Sequence, residues 1–130
     1  LYWSEVQGAD DPKRVSQTPP FMVKREADPL VSGINCSHQI SSFQVILWYK
    51  QDEHKALKLL GILINSPNLE DDVKGKISFD GDGRSHSSLN ISALSLADSG
   101  VYFCAARAGE SLCDTGSEAY FGPGTKLTVL

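Results

Sequence analysis

No apolar run in this chain approaches the roughly 20 residues that a bilayer-spanning helix needs, so any membrane anchor lies outside it. Positive charge is also scarce: 12 Lys and Arg are scattered among 16 Asp and Glu, for a net charge of -4. That balance argues against a nucleic-acid or polyanion binder. Histidine occurs three times, as His38, His54 and His86, in separate segments with no cysteine at ligand spacing, so no metal site is expected. No nucleophile, base and orienting group can be assembled, and no cofactor motif is found. The sequence therefore gives no reason to expect an enzyme or a cofactor.

Three short motifs invite chemistry and do not support it. Asp114-Thr115-Gly116-Ser117 matches the tetrapeptide of aspartic proteases, but that reaction needs two such carboxylates sharing a proton, and only one copy is present. Asp80-Gly81-Asp82-Gly83 resembles a fragment of a calcium loop without its further acids, and reads as a solvated turn. Gly122-Pro123-Gly124-Thr125-Lys126 lacks the spacing of a phosphate-binding loop and opens a strand.

What is present is strand alternation. In Asp98-Ser99-Gly100-Val101-Tyr102-Phe103-Cys104, Tyr102 and Cys104 share one face and Val101 and Phe103 the other, so one strand serves two surfaces. Ile46 and Trp48 point one way, and Tyr49 and Gln51 the other. Ile34 and Cys36 share a face, with Ser32 two residues behind them; Ile77 and Phe79 alternate, as do Leu89, Ile91 and Leu94. Val15 to Pro20 fits an edge strand, which Phe21 to Lys24 continues. At 130 residues the chain is one domain by length. Residues 1–14 read as a leader remnant or a flexible N-terminal segment, and 15–130 as the domain.

Cys36, then Trp48-Tyr49-Lys50-Gln51, then Asp98 to Cys104, then Phe121-Gly122-Pro123-Gly124 and the closing strand to Leu130 resemble a variable domain of an antigen receptor, most of all a T-cell receptor beta chain. The resemblance covers Val15 to Leu130, with 121–130 as the joining segment. It implies an all-β fold, an immunoglobulin-like V-type β-sandwich with Greek-key topology. It also implies an inter-sheet disulfide between Cys36 and Cys104, worth roughly 4 kcal/mol in the chain-entropy model. Trp48 and Tyr102 would lie in the core, and Lys76 would pair with Asp98.

The resemblance further implies antigen recognition. The domain would pair with a T-cell receptor alpha variable domain and read a peptide presented by a major histocompatibility complex molecule, as the extracellular part of a plasma-membrane receptor that itself touches neither membrane nor nucleic acid. The pairing face would hold Tyr49, Gln51, Leu57, Leu59, Phe103 and Phe121. The first hypervariable loop would hold Ile40, Ser41, Ser42, Phe43, Gln44 and Val45, and the second Leu63, Ile64, Asn65, Ser66, Pro67 and Asn68. The third, inside Ala105 to Tyr120, would hold Arg107, Ala108, Gly109, Glu110, Ser111, Leu112, Cys113 and Asp114. Two other readings stay open: a lambda-type antibody light chain, which ends in the same joining pattern, and an unpaired V-type adhesion or immune-type receptor. The long irregular junction speaks against the latter.

Asn35-Cys36-Ser37 and Asn90-Ile91-Ser92 are glycosylation acceptors whose asparagines should face outward. Cys113 has no second cysteine nearby, and is either a junction-encoded free thiol or a link to another chain.

Overall fold

The computed structural model describes residues 14–28, 30–108 and 119–130. The assignments made above to residues 1–13 and to Gly109, Glu110, Ser111, Leu112, Cys113 and Asp114 fall outside them. Eleven strands are formed: β1 Val15–Thr18, β2 Phe21–Lys24, β3 Leu30–His38, β4 Val45–Gln51, β5 Leu57–Leu63, β6 Pro67–Leu69, β7 Ile77–Asp82, β8 His86–Ser92, β9 Gly100–Arg107, β10 Tyr120–Phe121 and β11 Thr125–Val129. They build a four-stranded sheet, β1-β3-β8-β7, and a seven-stranded sheet, β2-β11-β9-β4-β5-β6, with β10 beside β9. The chain crosses between sheets from β1 to β2, from β2 to β3, from β3 to β4, from β6 to β7 and from β8 to β9, the Greek-key route of a V-type sandwich.

Alternation sets the core. Ile34, Cys36, Leu89 and Ile91 from one sheet face Ile46, Trp48, Tyr102 and Cys104 from the other, all buried. Each large side chain removed from water contributes about 1.5–3 kcal/mol. Cys36 and Cys104 are disulfide-bonded across the layer, with Cα atoms 6.2 Å apart. The Trp48 indole N–H donates to Ser87 Oγ at 3.0 Å, and that hydroxyl donates to the Asp80 carbonyl at 2.7 Å, so the one polar atom of the largest core residue is satisfied. The Tyr102 hydroxyl donates to the Asp98 carbonyl at 2.7 Å, tying β9 to the turn before it.

Three local expectations change. Val15 to Lys24 does not continue as one strand: β1 pairs antiparallel with β3, whereas β2 pairs parallel with β11 in the other sheet. The switch falls at Pro19 and Pro20, which have no N–H with which to extend a ladder. Ser32 does not take the inward position before Ile34. A register shift between Val31 and Ile34 turns Ser32 outward and buries Val31 fully, and Gly33 permits it by adopting φ +89°. Asp80-Gly81-Asp82-Gly83 is not itself the turn: β7 runs to Asp82, and the turn is Gly83–Ser85, closed by Ser85 N–H on the Asp82 carbonyl at 2.8 Å. The Asp82 carboxylate accepts from the Arg84 backbone and guanidinium, which hold it below the usual carboxylate range.

The side chain of Gln17 was not singled out by sequence reasoning, and it joins the two sheets. Its Nε2 donates to the Tyr102 carbonyl at 2.7 Å and to Thr125 Oγ1 at 3.0 Å, and its Oε1 accepts from Cys104 N and Gly124 N, both at 3.2 Å. A buried amide with this many partners is fully used.

Candidate functional site

One end of the sandwich carries the loops 39–44 and 64–66 and the end of β9 at Arg107. The loop bounds expected from sequence narrow once the strands are placed. Ile40 and Phe43 lie within the first loop but are buried, and Val45 already opens β4 with its side chain fully enclosed. Leu63 closes β5 and is also fully enclosed, while Pro67 and Asn68 belong to β6. Gln39, Ser41, Ser42 and Gln44 in the first loop, and Ile64, Asn65 and Ser66 in the second, are the exposed residues. Arg107 and Ala108 are half-buried at the base of the third, the guanidinium donating to the Ala108 carbonyl at 3.1 Å.

Beneath these loops sits an anchor that sequence reading missed. His38, considered above only as a metal ligand, is buried, with Nε2 2.9 Å from the Gly83 carbonyl and Nδ1 accepting from Ile40 N–H at 3.1 Å. That pattern fixes the neutral tautomer with its proton on Nε2. Gly83 has no room for a side chain: a Cβ there would lie 2.2 Å from the Gln44 carbonyl and 2.6 Å from that of Leu63. One glycine thus sets the spacing of the first two loops. Phe43 packs between His38 and Tyr120, at ring-centroid distances of 6.1 and 5.7 Å, and Gln44 N–H donates to the Arg107 carbonyl at 3.1 Å. All three loop bases are therefore coupled. Among the described residues, no group of three His, Cys, Asp or Glu is placed to hold a metal ion.

The second surface is the outer face of the seven-stranded sheet. Tyr49 and Phe103 are half-buried there, while Leu57 and Phe121 are 47% and 46% exposed. Phe121 is the hub, with ring centroids 5.4 Å from Tyr49 and 6.4 Å from Phe103, the latter edge to face. Beside these rings on the same face lies a small apolar cluster of Val45, Leu47 and Ala105, flanked by Tyr49, Leu59 and Ile62. Leu47, Ala105 and Ile62 were not expected on this face. The continuous run Val45-Ile46-Leu47-Trp48 was the available signal, since a strand buried on both faces loses its alternation. Gln51, at the far end, donates to the Lys55 carbonyl at 3.3 Å.

At the opposite end from the loops, Lys76 Nζ lies 2.8 Å from the Asp98 carboxylate, which is nearly buried, and also donates to the Ser92 and Ala93 carbonyls. Lys50, with its Nζ 5.8 Å from the centre of the Tyr102 ring and bonded to the Ala97 carbonyl at 2.6 Å, has its pKa lowered chiefly by burial. Asn35 is exposed and Asn90 half-buried, both on the outer face of the four-stranded sheet.

Comparison with known proteins agrees with this architecture. Residues 33–130 match the immunoglobulin V-set domain. Human T cell receptor alpha variable 36/delta variable 7 is 33% identical over 106 residues, covering 81% of this chain and 89% of the relative. Mouse T-cell receptor beta chain V region PHDS203 is 31% identical over 118 residues, covering 90% and 89%. Human T cell receptor beta variable 3-1 is 34% identical over 92 residues, covering 70% and 78%. Among solved structures, a chain from work on T-cell specificity and activation by the bacterial superantigen toxic shock syndrome toxin-1 superposes with a TM-score of 0.76 at 32% identity, over 89% of this chain and 98% of that one. The family is one of non-enzymatic receptors. With its two packed sheets, its Cys36–Cys104 bridge and these relatives, the chain belongs to the immunoglobulin V-set family, as an antigen-receptor variable domain of the T-cell receptor kind.

Proposed function

We propose that this domain is the beta-type half of a T-cell receptor, that it pairs with an alpha variable domain through the outer face of the seven-stranded sheet, and that it reads a peptide held by a major histocompatibility complex molecule. The observation that carries the pairing is the Tyr49, Phe103 and Phe121 ring cluster with Leu57 beside it, a partly exposed apolar surface rimmed by Gln51. Contiguous apolar surface with a polar edge is what a protein partner covers. The beta assignment draws support from the beta-chain relatives of mouse and man and from Cys36-Ser37-His38 and Trp48-Tyr49-Lys50-Gln51, since the joining pattern Phe121 to Leu130 is shared with lambda-type light chains.

In this reading the loops carry recognition. Ser41, Ser42 and Gln44 with Ile64, Asn65 and Ser66 meet mainly the presenting molecule, and the segment after Arg107 lies over the peptide. The His38 and Gly83 anchor holds the first two loops at fixed spacing, which lowers the ordering cost of binding.

The test is size in solution by light scattering, for this chain alone and mixed with alpha-type or antibody heavy-type variable domains. A 1:1 complex with an alpha-type domain, lost on Phe103→Asp, is the expected result. Pairing only with a heavy-type domain would move the chain to the antibody light chains, and a homodimer indifferent to both partners would move it to adhesion.

A further inference from the structure

We infer that Asn90 carries an N-linked oligosaccharide, and that the outer face of the four-stranded sheet is a sugar-covered face left free of protein partners. The inference rests on the extracellular setting of the family and not on the choice of partner domain.

Asn90-Ile91-Ser92 meets the acceptor pattern, with no proline in the middle. Leu89 and Ile91 on either side are fully buried, so the Asn90 side chain leaves the sheet on its outer face. The residues around it there are small. Ser78 is its cross-strand partner on β7, and Ser88 and Ser92 are its neighbours along β8. Among the described residues the Asn90 amide makes no side-chain hydrogen bond, so attaching a sugar to its nitrogen costs the fold no native bond. Asn35 differs. It lies opposite Ser88 on β3, its Oδ1 accepts from Ser88 Oγ at 2.7 Å, and its acceptor pattern contains the disulfide residue Cys36.

The reaction is a group transfer from a polyprenyl-diphosphate-linked oligosaccharide. The Asn90 Nδ2–C1 bond forms, the C1–O bond to the diphosphate breaks, polyprenyl diphosphate leaves, and one amide proton is lost. A β-strand cannot present this amide to a transferase, so the step precedes folding. Chain order allows that, because Asn90 is made before Cys104 and the bridge cannot yet have closed.

The surface fits the product. Asn35, Ser78, Ser88 and Ser92 near Asn90 are polar. Leu30, 49% exposed opposite Ser92, and the His86 ring at the start of β8 share this face, which among the described residues carries no exposed Tyr or Phe ring like those of the opposite sheet. An oligosaccharide here stands clear of the loop end and of the Tyr49, Phe103 and Phe121 face.

The experiment is secretion of the chain from eukaryotic cells, followed by peptide mapping before and after peptide-N-glycosidase in heavy-oxygen water. The expected result is sugar at Asn90, marked by conversion to labelled aspartate, with its full mass lost in both N90Q and S92A. Because either variant could fail to be secreted, the map of the unaltered chain decides by itself: an unmodified Asn90 peptide overturns the inference. Removal of the sugar should leave 1:1 complex formation with an alpha-type domain unchanged. Weakened or strengthened pairing after deglycosylation would overturn the assignment of this face as partner-free, whereas failure to pair in both states would count against the beta-chain reading alone.

Discussion

The two outward faces of this sandwich are built on the same inward pattern and share almost nothing else. On the four-stranded sheet the outward positions include Ser16, Thr18, Ser32, Asn35, Ser37, Ser78, Asp80, His86, Ser88, Asn90 and Ser92, with Leu30 as its one exposed large apolar residue among the described ones. On the seven-stranded sheet they include Leu47, Tyr49, Leu57, Ile62, Phe103 and Phe121. Inward residues decide that a sandwich forms, and outward ones decide what it meets. The first face is content in water or under sugar, while the second leaves rings partly exposed that a partner would cover.

The largest effect should ignore the distinction between faces. Trp48→Ala removes the ring on which both sheets close and should cost about 3–5 kcal/mol, read as loss of secretion or as a large fall in the denaturant midpoint. Gln17→Ala comes next: it leaves Cys104 N–H and Gly124 N–H buried without partners, for a loss of about 2–4 kcal/mol, measured by the same titration. Equal stability of the variant would mean that the sheets are held by apolar burial and the Cys36–Cys104 bridge without help from Gln17.

The third prediction separates the faces. Phe103→Asp should weaken pairing with an alpha-type domain by about 30-fold or more while shifting the melting temperature little, and Ser88→Asp should leave pairing unchanged. Equal effects from the two would break the comparison. A fourth uses pH. The Tyr102 phenol is held above its ordinary 10.0, first by burial and then by the nearby Asp98. The unfolded chain releases this proton near 10.0 and the folded chain keeps it, so the unfolded state binds fewer protons there and stability falls as pH rises through that value. Tyr102→Phe should flatten that alkaline slope while costing about 1 kcal/mol at neutral pH for the lost bond to the Asp98 carbonyl. Lys50, whose pKa is lowered, contributes with the opposite sign and remains in the variant. The smallest effect belongs to the polar face: Ser37→Lys should change stability by less than about 0.5 kcal/mol.

Much of this was legible in residue order because a strand's two faces are written two residues apart. That rule puts Tyr102 and Phe103 on opposite faces, and likewise Trp48 and Tyr49, and with the resemblance it sets Cys36, Trp48, Tyr102, Leu89 and Ile91 inward and Tyr49 and Phe103 outward. The rule failed where the backbone broke step. Gly33 inserts a bulge that exchanges Ser32 for Val31, and the prolines after Thr18 move the chain to another sheet. It also failed where a strand is covered on both sides, which hides Leu47, Ala105 and Ile62 from it.

Within the sequence, local periodicity set the two faces of most strands, and the class of fold and the Cys36–Cys104 bridge came from the resemblance to antigen-receptor variable domains carried by a few fixed residues. The tertiary structure alone decided that Gln17 joins the sheets and that His38 and Gly83 hold the loop bases. Those bonds connect groups 108 and 45 residues apart, and no pattern within a single strand specifies which distant carbonyl or hydroxyl a buried amide or imidazole will meet.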